Sequence, residues 1–251
     1  MDTEIQSASA DEAIYHEHLC HPVLASTASA DKKERKVLIV GGGEGATARE
    51  CLRWSDVSKV DMVDIDGELI EICRKHLQYA DSSTYDDPRL SIYPQDIRVF
   101  LEEQKNKKTM YDVIIMDLTD PDVDELLEAD FSSDATEKSG LDYALYGPKF
   151  WKVLRDTLAP GGAIATHVGP VQPGGDPMKR RPGLEWAKRM MAAPEGSAYK
   201  VGIPSFQGDW GFYMSVAPNF TAQLPEGLKV MDEEAMEVAF KWPKYWFLEN
   251  L

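Results

Sequence analysis

An α/β fold with a mostly parallel sheet, closed by an antiparallel hairpin, is what this sequence predicts. Three observations predict it. Short apolar, β-branched runs recur along the chain, bounded by glycine, proline or polar residues. Stretches of helical composition or helical apolar spacing separate them, and strands alternating with helices mean βαβ units and a parallel sheet. The last two runs instead look like a closing hairpin.

The elements follow in order. Residues 1–36 are polar apart from an amphipathic patch over 14–24, which His21-Pro22 punctuates, and 25–35 read as a solvated helix end or linker. Val37-Leu38-Ile39-Val40 is a short apolar run whose β-branching suits a strand buried on both faces. The glycine turn Gly41-Gly42-Gly43-Glu44-Gly45 follows it, and a helix is expected over 46–54. KVDMVDI (59–65) is the second strand. Asp66 then starts a helix in which Leu69, Ile70, Cys73 and Leu77 fall at helical spacing. The third strand is 90–93, followed by a helix ending near Lys105. DVIIMDL (112–118) is the fourth, followed by an irregular acidic stretch and a helix over 148–158. Pro160-Gly161-Gly162 reads as a turn before a fifth strand over 163–168. Residues 199–203 and 211–216 form the hairpin and bring the sheet to seven strands. The aromatic C-terminal run KWPKYWFLENL is expected to pack on the body.

Composition narrows the function. A chain of 251 residues suits one large domain, or one with a small appendage. Its 27 Lys and Arg stand against 43 Asp and Glu, a formal net charge of −16. So acidic a surface repels phosphate, which argues against a nucleic-acid or anionic-membrane partner and is compatible with a cationic ligand. Cys20, Cys51 and Cys73 form no C-x-x-C pair and read as small buried hydrophobes in a reducing compartment. The polar, acidic start is no signal or transit peptide, and no apolar run is long enough to span a membrane. The expected location is cytoplasmic.

In an open α/β sheet, ligands bind outside the carboxyl ends of the strands. Four of those ends carry polar residues. The turn through Gly41, Gly43, Glu44 and Gly45 lets backbone approach a ligand closely. Asp64, 20 residues beyond Glu44, stands where an acid accepts from ribose hydroxyls. Gln95-Asp96 offers an acceptor for an exocyclic amine. Ile65 and Ile97, beside these two acids, are counted with them as cofactor-binding. Together these describe a nucleoside site, although helix capping is an alternative use for Asp66 and, equally, for Asp96. After the fourth strand comes Asp117-Leu118-Thr119-Asp120-Pro121. A carboxylate ending an apolar strand is costly to bury without a partner or a task. Asp117 and Asp120 together suit holding an ammonium group and removing its proton. From Asp112 to Glu137 there are ten acidic residues and no Lys or Arg, either a solvated loop or a rim that gathers a polycation. His16, His18 and His21 do not share one helix face, so no metal site is expected.

GGGEGATARE, VDMVDID, PQD, DLTDP, LYGPKFW and DEAIYHEHLCHP, in this chain from about residue 5 to 211, resemble the polyamine aminopropyltransferases, the spermidine/spermine synthase family. Among its members GGGEG, DLTDP and IPSFQGDWGF look most like the thermospermine synthases. The resemblance implies a class I methyltransferase-like Rossmann fold, decarboxylated S-adenosylmethionine as co-substrate, a polyamine substrate and a homodimer. It implies roles residue by residue. Gln6 lies near the donor, Glu44 binds the donor's terminal amine, and Asp64 and Asp96 bind ribose and adenine. Asp117 is the catalytic base and Asp120 an amine-binding acid. Tyr15 and His16 line the amine site, with Tyr15 also counted as catalytic. Tyr146, Phe206 and Trp210 line the acceptor tunnel.

The family usually carries an N-terminal β-sheet domain ahead of the segment that begins at Gln6. Residues 1–36 are read as a remnant linking to it, and 37–251 as the catalytic domain. The product expected first is thermospermine or another tetraamine, then spermidine. Three other readings stand beside it. One is methyl transfer from intact S-adenosylmethionine to an amine, which Glu44 disfavours by repelling that donor's carboxylate. The others are a non-catalytic nucleoside- or polyamine-binding homologue and, more distantly, an NAD oxidoreductase. The basic segment PGGDPMKRRPGLEWAKR reads as a solvated helix face.

Overall fold

The computed structural model describes residues 5–29, 34–77, 79–80, 82–119 and 145–248. Asp120 and the acidic stretch after it lie outside the described residues. Seven strands form one sheet in the order β3-β2-β1-β4-β5-β7-β6. They are β1 (Arg35–Gly41), β2 (Val57–Asp64), β3 (Leu90–Pro94), β4 (Tyr111–Asp117), β5 (Leu158–Pro170), β6 (Ser197–Ile203) and β7 (Gly208–Met214). The first five are parallel, and β7 runs antiparallel to both β5 and β6. The expected mostly parallel sheet with its closing hairpin is therefore present. The order reverses between β1 and β4, which opens a crevice at their carboxyl ends.

Alternation along the strands explains why they are apolar throughout. Val37 and Ile39 of β1 face one core with Val113 and Ile115, while Leu38 and Val40 face the other with Ile114 and Met116. Each such fully buried side chain is worth about 1.5–3 kcal/mol. The helices close both cores: α1 (Glu12–Thr27), α2 (Ala46–Leu52), α3 (Gly67–His76), α4 (Ser82–Tyr85), α5 (Ile97–Lys107), α6 (Pro148–Asp156), α7 (Pro177–Arg180), α8 (Pro182–Met191) and α9 (Glu233–Ala239).

The amino-terminal region differs most from expectation. Helix α1 continues through Pro22 to Thr27 and packs against α2, β4 and β5, so Leu24 and Ala25 are fully buried. It is buried nearly all round rather than on one face, as a core helix is. Pro22 cannot donate to the His18 carbonyl; the Tyr199 hydroxyl donates to it instead, at 2.9 Å. Arg35, fully buried, begins β1 and donates to the Leu24 carbonyl at 2.6 Å and to Asp56 at 2.8 Å. The residues around 25–35 that are described are thus partly core, and β1 begins two positions before residue 37.

Smaller differences have local causes. Pro160-Gly161-Gly162 lies inside β5 as a bulge: Leu158 pairs with Tyr111 but Ala163 with Val113, and Gly161 has φ +77°. Leu69 is 38% exposed, because α3 buries only the narrow stripe through Ile70 and Cys73. In the basic segment Lys179, Arg180, Lys188 and Arg189 are exposed, but Arg181 is buried and donates to the carbonyls of Gln172 and Trp246. In the C-terminal aromatic run Trp246 is buried, whereas Tyr245, Phe247 and Leu248 are exposed. The three cysteines are free and buried. Among the described residues no helix is long and apolar enough to cross a membrane.

Candidate active site

The site grows from the pairing of β1 with β4. Gly41 sits opposite Asp117, and the Gly42 N–H donates to the Asp117 carbonyl at 3.0 Å. Gly41 has φ +86°, and a Cβ there would stand 2.1 Å from the Asp117 carbonyl oxygen. Only glycine allows this approach. Gly45, with φ +83°, then precedes α2, whose first turn carries Thr47.

Asp117 ends β4 with both carboxylate oxygens bound by hydroxyls. Tyr15 of α1 donates to Oδ1 at 2.9 Å and the buried Thr47 to Oδ2 at 2.5 Å. Among the described residues it makes no ion pair with Lys or Arg. Each carboxylate oxygen offers two acceptor positions, so the group keeps capacity for a further donor. Around it stands an aromatic wall. The Tyr15 ring lies 5.9 Å from His167, 6.1 Å from Phe206 and 5.7 Å from Phe212. Trp210 stacks on His167 at 6.3 Å and touches Phe206 at 4.5 Å. A register shift in β5 between His167 and Gly169 accompanies this corner. His167 Nε2 lies 2.7 Å from the Leu118 carbonyl and fixes the chain just past Asp117.

Glu44, in the glycine turn, meets His16 Nε2 through Oε1. His16 is buried, with Nδ1 3.1 Å from Glu12 Oε2. Burial opposes a charge on the ring, but Glu12 and Glu44 outweigh it and raise its pKa to about 10. His18 has the opposite fate. Burial holds its pKa down to about 4, its Nδ1 faces the Ile14 carbonyl, and its ring stacks on Phe212. His21 faces Glu50 and Trp54. The three histidines thus serve three separate environments, and among the described residues no group of three or more His, Cys, Asp or Glu is placed to hold a metal ion.

At the ends of β2 and β3, Asp64 accepts from the N–H groups of Gly43 (3.0 Å) and Asp66 (2.9 Å), and burial raises its pKa. Asp66 caps α3 through Leu69 N–H. Asp96 caps α5 through Arg98 N–H and pairs with the Arg98 guanidinium, which holds its pKa down. Ile65 is 64% exposed beside this end, while Ile97 is buried in the first turn of α5.

The fold therefore brings Tyr15, His16, Gly41, Gly43, Glu44, Gly45, Asp64, Asp117, Phe206 and Trp210 to one end of the sheet. Tyr146 is buried, and its hydroxyl donates to the Thr119 carbonyl, so it braces the chain after β4. Gln6 is exposed before α1, and no described contact joins it to the cluster. Sequence reasoning missed Thr47, Glu12 and His167. Thr47 lies inside the quoted GGGEGATARE motif, and His167 is a polar residue at the carboxyl end of the fifth strand, the one parallel strand end left unread.

Comparison with known proteins bears on this arrangement. The family model described as Spermine/spermidine synthase domain matches residues 12–224. A polyamine aminopropyltransferase of Synechococcus sp. is 35% identical over 215 residues, covering 86% of this chain and 62% of that protein. Polyamine aminopropyltransferase 2 of Pseudomonas aeruginosa is 35% identical over 216 residues, covering 86% and 54%. The chain thus spans less than two thirds of the length of these two relatives. A polyamine aminopropyltransferase of Saccharolobus islandicus is 34% identical over 255 residues, covering 97% of this chain and 76% of that protein. Two solved structures share the fold. Spermidine synthase from Thermotoga maritima has a TM-score of 0.69 at 23% identity, over 95% of this chain and 74% of that one. A spermidine synthase in complex with the transition state analogue AdoDATO has a TM-score of 0.71 at 24% identity, over 95% and 75%.

Proposed function

Because this chain belongs to the spermine/spermidine synthase family, we propose that it transfers the aminopropyl group of decarboxylated S-adenosylmethionine to a polyamine and releases methylthioadenosine. The observation that carries this reading is the state of Asp117. It is a strand-end carboxylate held in place by two hydroxyls, without a Lys or Arg partner among the described residues, inside an aromatic wall.

The acceptor amine arrives protonated, since its pKa is close to the roughly 10.4 of lysine. Asp117 attracts and orients the ammonium and takes its proton. The freed nitrogen lone pair attacks the aminopropyl carbon bonded to the sulfonium. The C–S bond breaks, its electrons neutralise sulfur, the product keeps its charge as a secondary ammonium, and Asp117 passes its proton to solvent. The leaving group is a neutral thioether, so positioning matters more than acid assistance. Glu44 binds the donor's ammonium tail. Asp64 accepts from the ribose, Asp96 from the adenine amine, and Ile65 and Ile97 flank the base. Phe206, Trp210 and Tyr15 wall the acceptor, with Tyr146 bracing that wall, and Asp120 is the second amine-binding acid. Gln6 belongs to the donor side of the site. Residues 37–251 carry the reaction, and the segment 1–36 supplies Tyr15 and His16. A homodimer in the cytoplasm, without nucleic acid, belongs to the same reading and is supported by family membership and the net charge of −16.

The test is incubation with the decarboxylated donor and putrescine, spermidine or norspermidine, followed by assay for methylthioadenosine. A tetraamine product from spermidine supports a thermospermine-type activity, and a triamine from putrescine a spermidine-type one. S-adenosylhomocysteine from intact S-adenosylmethionine, with no methylthioadenosine, would replace this reading by amine methylation.

A further inference from the structure

Behind Glu44 lies a cluster in which Glu12, Arg49 and Lys229 have no part in the reaction described above. Glu12 is 5% exposed, and its carboxylate accepts from Arg49 at 3.1 and 2.8 Å and from Lys229 at 3.2 Å. One turn along α1, His16 Nδ1 faces the Glu12 carbonyl at 2.7 Å and Glu12 Oε2 at 3.1 Å, while Nε2 meets Glu44 Oε1. Nδ1 is hydrogen-bonded to Glu12 and Nε2 lies at ion-pair distance from the Glu44 carboxylate, an arrangement that favours the imidazolium. The groups that act on it come from several elements. Glu12 lies on α1, Glu44 in the glycine turn and Asp117 at the end of β4. Arg49 of α2 and Lys229 reach it through Glu12. The Tyr15 ring meets it edge-on at 5.0 Å. Its elevated pKa agrees with the geometry.

We propose that Glu12 is a positioning residue for the donor's ammonium tail: it keeps the proton on His16, and the imidazolium pins one oxygen of Glu44 and leaves the other for the ammonium. This rests on the reading that Glu44 binds that tail. Loss of the ring proton sets an Nε2 lone pair against a carboxylate oxygen, and Glu44 is pushed off its position.

The experiment compares Glu12→Gln with wild type by calorimetric binding of decarboxylated S-adenosylmethionine across pH, alongside turnover. Without the Glu12 charge, His16 titrates nearer the ordinary value of about 6.5. Donor Kd is expected about tenfold weaker than wild type near pH 8.5 and to converge on it near pH 6. The loss falls on donor Kd and KM rather than on kcat at saturating donor. A Kd ratio that is constant with pH would make Glu12 a structural anchor and overturn the proposal, and so would a fall in kcat alone. If Glu12→Gln does not fold, His16→Gln takes its place. Its amide N–H cannot titrate, so below about pH 9, where the donor's own ammonium keeps its proton, its donor Kd should stay flat and any alkaline weakening should shrink to the part the donor's amine sets; a pH profile that matches wild type overturns the proposal. The ring nitrogen resonances of wild-type His16 give a readout without substrate: both protonated at pH 8 supports the relay, and a neutral ring overturns it. A wild-type protein that binds donor but releases no methylthioadenosine sinks the reaction reading and leaves the binding test standing.

Discussion

At the β2–β3 edge of the candidate site the carboxylates bond over short sequence distances, while at the β1–β4 centre they bond over long ones. Asp96 binds Arg98 and Asp64 binds Asp66, two residues on in each case, and Asp64 also accepts from Gly43, 21 positions back. Asp117 is bound by Tyr15 from 102 positions away and by Thr47 from 70. The edge is open, with Ile65 exposed, whereas the centre is lined by the buried Thr47 and His16. The edge thus leaves room for the base and ribose proposed above. The centre is held by its own hydroxyls, as suits the proton removal proposed for Asp117.

The comparison can be broken by substitution at each end. Asp117→Asn should cost about 10²–10⁴-fold in turnover, the range for a lost general base, with donor Kd nearly intact. Methylthioadenosine release and calorimetry check it. Asp64→Ala removes the proposed ribose acceptor and should weaken donor binding about tenfold or more, roughly 1.4–3 kcal/mol, while kcat at saturation changes less. Thr47→Val keeps the shape and deletes one hydroxyl on Asp117. About tenfold in kcat is expected from this, near 1.4 kcal/mol, with little change in donor Kd. The smallest effect belongs to Arg98→Ala. The Asp96–Arg98 pair is largely exposed, so stability should move by less than about 1 kcal/mol. Asp96 is then free for the adenine contact proposed above, and donor Kd should hold or tighten.

His16 and His18, two residues apart, sharpen the same contrast. The folded pKa of His16, about 10, lies above the ordinary 6.5. Its contribution to stability is full below pH 6.5 and is lost as pH rises toward 10. The folded pKa of His18, about 4, lies below 6.5. Its contribution is full above pH 6.5 and is lost as pH falls toward 4. Histidine ring titrations by NMR should show His16 doubly protonated at pH 8 and His18 neutral at pH 5.

The sequence itself revealed what is local. Four parallel strand ends and their acids could be placed because strand period, glycine turns and capping carboxylates act over a few residues. Asp66 as a cap and Asp64 as something else were both readable. The burial of α1 was not, because its residues 12–25 carry polar side chains all round the helix, and only the tertiary structure shows that Glu17, fully buried, accepts three backbone N–H groups from Lys229 to Met231. Thr47 and His167 were missed for the same reason: their partners, Asp117 and the Leu118 carbonyl, lie 70 and 49 positions away. The β5 bulge looked like a turn because Pro-Gly-Gly has the same local chemistry in either setting.

The ratio of wild-type to Asp117→Asn turnover, followed from about pH 7 to pH 9, tests proton removal by Asp117 most directly. A variant without the base depends on acceptor already deprotonated, a fraction that rises about tenfold per pH unit below the amine's pKa. The ratio should therefore shrink as pH rises. A ratio that stays constant over that range, or a rate in the variant equal to wild type at pH 7, would contradict the role assigned to this carboxylate.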